Sequence, residues 1–126
     1  MNHPYNDDCF PPAPGISIQF GIPDERLSVG PIWAFFDTGA DVSITPLKYI
    51  RPLNMPAEDR KYLRSQWGES RVVDTYFLDI GIEKYRFSAV EVVADARGDE
   101  IVLGRNILNK LVITLNGPKQ TIKLHE

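Results

Sequence analysis

Asp37, Thr38, Gly39 and Asp41 are the residues best placed for chemistry, and they stand together in "FFDTGADVSI" at 35–44. Two phenylalanines run straight into a carboxylate there. Burying an ionised carboxylate is expensive unless it is paired or neutralised, so an acid closing an apolar segment needs a reason. Gly39 would let the backbone come close enough for its N–H to donate to Asp37, and the Thr38 hydroxyl could lock such a loop. On the tripeptide alone, an Asx-turn that merely ends a strand explains the residues as well. Later in the chain the theme returns: Val102-Leu103 runs into Gly104, then Arg105-Asn106 and a helix-compatible run. Arginine opposes the helix dipole at a helix start, which argues for a specific partner. Asp41 is the candidate, since a bidentate Arg–carboxylate pair would clamp loop to helix.

Elements of the right kind surround these residues. "GISIQFGI" alternates and predicts a strand with Ile16, Ile18 and Phe20 on one face. Residues 23–30 read as a loop. "PIWAFF" at 31–36 is continuously apolar, as in a strand buried on both faces. Thr45-Pro46 could cap and open a brief helical turn. Residues 58–82 predict a hairpin with its tip at Gln66–Ser70. Residues 85–94 and 101–103 are strand-like around a polar turn at 95–100, and 105–111 suits a short helix. Residues 112–124 predict a second hairpin around Asn116-Gly117. The fold class is all-β with one short helix, behind a proline-rich arm at 1–14 with no core of its own.

Composition sets limits. With 126 residues, 43% of them hydrophobic, the chain can build one domain around one core. A net charge of -3 argues against nucleic acid as a partner. No apolar run reaches the roughly 18 residues of a membrane span, and the acidic N-terminus lacks the apolar core of a secretory signal. Cys9 is the single cysteine, which fits a reducing compartment such as the cytoplasm. His3 and His125 lie at the chain ends, so neither a metal site nor a cofactor is expected.

"FFDTGADVSI" and "IVLGRNIL", in this order, resemble the retropepsins, the single-domain aspartic proteases of retroviruses and their bacterial and cellular relatives. The resemblance spans residues 15 to about 124 and implies a retropepsin-like barrel with a flap hairpin, paired as a C2 homodimer. Residue by residue, it makes Asp37 the catalytic aspartate, Thr38 the threonine bonding across the dimer axis, and Gly39 the support of the carboxylate. It makes Asp41 and Arg105 an internal ion pair. Substrate would meet Ala40, Asp41 and a flap tip containing Gln66, Trp67 and Gly68. Pepsin-like relatives often carry serine where Ala40 stands. The tip also departs from the usual glycine-rich pattern, with Trp67 and Glu69 in it.

Two functions follow. One is a homodimeric aspartic endopeptidase that cleaves extended peptide segments between two Asp37 carboxylates. The other is a retropepsin-like dimerisation or peptide-binding module that no longer cleaves, or cleaves one dedicated partner. The intact Asp37-Thr38-Gly39 favours the enzyme.

Overall fold

A computed structural model describes residues 2–64 and 68–125. Its first strands are β1 (Asn2–Pro4), β2 (Gly15–Gly21), β3 (Val29–Phe36) and β4 (Ser43–Pro46). Two short helical pieces follow, α1 (Leu47–Ile50) and a 3-10 turn at Arg51–Leu53. Then come β5 (Asp59–Arg64), β6 (Ser70–Ile82), β7 (Tyr85–Asp95) and β8 (Ile101–Leu103). The chain closes with α2 (Arg105–Leu108), β9 (Val112–Asn116) and β10 (Thr121–His125).

The main sheet runs β2-β3-β8-β4-β7-β6-β5, and an added β2–β6 pairing closes six of these strands into a barrel. Closure removes the exposed edges that an open sheet would present. Period-two alternation fills the interior. Ile16, Ile18 and Phe20 of β2 point inward, and Leu78, Ile80 and Ile82 of β6 meet them there. β8 decides where the site lies. It pairs parallel with β3 through Phe36↔Leu103 and antiparallel with β4 through Ile44↔Val102. The connection from β3 to β4, residues 37–42, must therefore pass over the end of β8.

Several expectations need correction. Residues 1–14 are not simply an arm outside the fold: β1 pairs with β10, and Tyr5 packs against the core. A three-stranded sheet β1-β10-β9 results. Thr45 does not cap a helix, because it is buried in β4 and paired with Ala94, while α1 starts at Leu47 without a side-chain cap. The brief helical turn expected after Thr45-Pro46 is itself present as α1, so two short α-helices stand among the described residues. β3 is not buried on both faces. Ala34 is buried, but Trp33 and Phe35 are half-exposed and stack edge to face at 4.4 Å. The Trp33 ring lies across Gly15, where an added Cβ would come within 2.2 Å of it.

Asp79 holds one end of the barrel. Its side chain is 1% exposed, yet it accepts N–H bonds from Asp24 at 3.0 Å and Ala89 at 2.7 Å, and pairs with Arg86 at 2.8 Å. Burial pushes its pKa up, but the Ala89 and Asp24 amides and Arg86 together outweigh that and hold it below the ordinary value of 3.8. A lowered folded pKa stabilises above the unfolded value and loses that contribution as pH falls through the folded one. Asp79→Asn should cost about 2 kcal/mol at neutral pH, since Arg86 is partly solvated. Urea titrations should show the gap from wild type shrinking as pH falls below the ordinary value of 3.8. An equal gap on both sides of that value would show that the charge is not what stabilises.

Candidate active site

Asp37 is the first residue beyond β3. Its N–H donates to Leu103 O at 3.0 Å, which carries the β3–β8 ladder one step further. Its side chain is then released at the mouth of the loop. Gly39 N–H donates to Asp37 Oδ1 at 2.9 Å, and Ala40 N–H to Asp37 O at 3.2 Å, so the loop turns tightly around the carboxylate. Asp37, Thr38 and Gly39 are all exposed and Ala40 is half-buried. The acid that ends an apolar strand is therefore not buried within its own chain, and hydration keeps it tolerable there.

Arg105 grips the loop from the start of α2. Its N–H donates to Ala40 O at 2.9 Å and its Nη1 to Thr38 O at 2.8 Å. Nη2 meets the Asp41 carboxylate in an ion pair. The guanidinium thus divides its prongs between a carbonyl and an acid, where a bidentate pair was expected. The Asp41 side chain is 83% exposed, so that ion pair contributes little by itself. Arg105→Ala should cost about 1–2 kcal/mol, mostly through the Thr38 carbonyl. A double-mutant cycle with Asp41→Asn should return a coupling of about 0.5 kcal/mol. Coupling well above 1 kcal/mol would mean that the ion pair, not the carbonyl, carries the grip.

Three contacts of this site escape sequence reasoning. Gly104 lies so close under the loop that an added Cβ would stand 2.5 Å from Val42 O. Ser43 is 1% exposed, and its Oγ accepts the Gly104 N–H at 3.0 Å. Asn106 Oδ1 accepts from Ser43 N–H at 3.1 Å and from Ser43 Oγ at 2.9 Å. Gly104 and Asn106 stand in the quoted run "IVLGRNIL", but nothing in its spacing shows that they meet Val42 and Ser43.

Two hollows lie in this part of the barrel, and only the first is lined by a residue of the 37–42 loop. One, of about 310 Å³, lies beside Thr38 and is lined by Pro14, Phe36, Leu108, Leu111 and Ile113. The other, also about 310 Å³, is lined by Ile44 and Val102 together with Asp95, Arg97, Asp99 and Glu100. The hairpin β5–β6 pairs from Asp59↔Thr75 to Arg64↔Ser70. Gly68 near its tip is exposed with a φ of +85°. Gln66 and Trp67 lie outside the described residues. Among the described residues no group of three or more His, Cys, Asp or Glu is placed to hold a metal. None of their helices is long and apolar enough to cross a membrane.

A closed barrel in which an Asp-Thr-Gly loop crosses the end of a strand leading into Gly-Arg-Asn is a retropepsin-like fold. Among solved structures, the chain is similar to a retropepsin-like aspartic protease from Rickettsia conorii, with a TM-score of 0.68 and 17% identity over 98% of this chain and 88% of that one. It is also similar to EIAV protease complexed with the inhibitor HBY-793, with a TM-score of 0.56 and 17% identity over 78% of this chain and 86% of that one. No family model matches the sequence, and no curated protein does.

Proposed function

We propose that the chain is an aspartic endopeptidase that works as a C2 homodimer in a reducing compartment such as the cytoplasm. The observation that carries this reading is the state of the two loop carboxylates. Asp37 is exposed and supported by the Gly39 N–H, whereas Asp41 is held by Arg105. One chain thus offers one carboxylate for chemistry, and aspartic proteolysis needs two that share a proton. A second copy supplies the other.

In this reading one Asp37 takes a proton from a water held between the pair, and the other polarises the scissile carbonyl. Thr38 bonds across the axis from each side. The apolar hollow beside Thr38 and the exposed Val112 and Leu115 give the copies surface to bury. An extended peptide lies between the loop and the β5–β6 hairpin, which acts as the flap with Gln66, Trp67 and Gly68 at its tip. Ala40 and Asp41 meet the peptide backbone, and Ile44 and Val102 floor a side-chain pocket.

The test is proteolysis of a peptide library across a dilution series. Specific activity per chain should fall once the concentration drops below the dimer dissociation constant. Activity that is independent of concentration down to monomer would overturn the shared site. No cleavage of any peptide by a proven dimer would favour the non-catalytic binding module.

A further inference from the structure

We propose that Asn106 and Ser43 are positioning residues that fix the catalytic loop through a chain of hydrogen bonds with only one possible direction. The inference rests on the reading of Asp37 as the catalytic acid. Asn106 Nδ2 donates to Glu91 O in β7 at 2.7 Å. A carbonyl can only accept, so this contact settles which end of the amide faces which way. Asn106 Oδ1 is thereby turned toward Ser43, whose backbone N–H can only donate. The Ser43 hydroxyl spends its one proton on the same Oδ1, and a lone pair is left for the Gly104 N–H. Each link dictates the next.

The chain ties β7, α2, β4 and the β8–α2 junction into one body. That junction also holds both sides of the loop. Leu103 O accepts the Asp37 N–H, and Arg105 N–H donates to Ala40 O. A shift of Gly104 therefore moves the catalytic carboxylate with it. Because Ser43 is buried, water cannot repair a broken link without opening the fold. A displacement on the order of 1 Å at reacting groups costs about 100-fold in rate.

The test compares wild type, Asn106→Ala and Asn106→Asp on peptides that the wild type cleaves. Asn106→Ala should lower kcat about 30-fold and raise KM by less, because the displaced loop carries the reacting carboxylate, while Ala40 and Asp41 are only part of the surface that meets the peptide. Asn106→Asp should be rescued by acid. A neutral carboxyl has one O–H for Glu91 O and one C=O for Ser43, whereas a carboxylate sets an oxygen against Glu91 O. The variant-to-wild-type ratio of kcat should thus rise about tenfold between pH 7 and pH 5. A ratio that is flat with pH, or an effect confined to KM, overturns the proposal. Hydrogen exchange at the Asp37, Gly39 and Ala40 amides gives a readout that needs no catalysis. Faster exchange in Asn106→Ala supports the clamp, and unchanged exchange overturns it. If the wild type cleaves nothing while exchange accelerates, the protease reading fails and the clamp stands.

Discussion

Asp37→Asn should remove peptide hydrolysis, by about a thousandfold or more, while the chains still pair. The amide fills the same space and still accepts the Gly39 N–H, which donates to Oδ1 at 2.9 Å. It cannot give or take the proton that the pair must share. Mixing gives the stricter form of the experiment. When wild-type and Asp37→Asn chains exchange freely, mixed dimers carry one acid and one amide and are inactive. At equal proportions about a quarter of the dimers keep both acids, so activity falls to about a quarter and not to half. A monomeric enzyme would follow the wild-type fraction in a straight line. Asp41 is the nearest alternative acid on the loop, and Arg105 already engages it. A linear mixing curve after full subunit exchange would therefore remove the dimeric mechanism, since no other carboxylate of the loop is left to replace it.

What could be read before folding was what is local along the chain. Asp37, Thr38 and Gly39 are adjacent, so the tight loop around the carboxylate follows from neighbours. Arg105 and Asp41 could be matched because an arginine at a helix start needs a partner. Ser43 and Asn106 could not, because their contact exists only once β8 lies between β3 and β4. Asp79 shows a different limit. Alternation between Leu78 and Ile80, both buried, predicts an outward, solvated acid. The β6–β7 register shifts between those two residues, and Arg86 and the Asp24 amide close over the carboxylate. Trp33 and Phe35 fail for a third reason. A continuous apolar run does not say which face will be covered, and here the outer face carries the aromatic pair itself. Gly104 combines these limits. Its glycine is visible in the sequence, but the backbone pressed against it belongs to a distant segment.

Gly104→Ala should be the most damaging change after the loss of the acid, and for a steric reason alone. Its φ is −93°, which alanine adopts freely, so backbone preference sets no penalty. Space does. The new Cβ would stand 2.5 Å from Val42 O, 2.6 Å from Val42 C and 2.9 Å from Ala40 O. All three are backbone atoms of the loop at residues 37–42, so no side chain can swing aside. The loop must rise from β8. That strains the Arg105 N–H to Ala40 O bond at 2.9 Å and the Gly104 N–H to Ser43 Oγ bond at 3.0 Å, which fasten the loop to the junction. Overpacking of this kind costs about 1–3 kcal/mol. The displaced carboxylate should lower kcat about 100-fold. Gly39 makes the contrast, since a Cβ there meets only Asp37 Oδ1, at 3.2 Å, a side-chain atom with some freedom to move. Denaturant midpoints and kcat for Gly104→Ala and Gly39→Ala should separate the two cases: Gly104→Ala loses both stability and rate, whereas Gly39→Ala keeps its stability and loses rate. A Gly104→Ala protein within twofold of wild type in both would mean that the loop does not rest on β8 in solution.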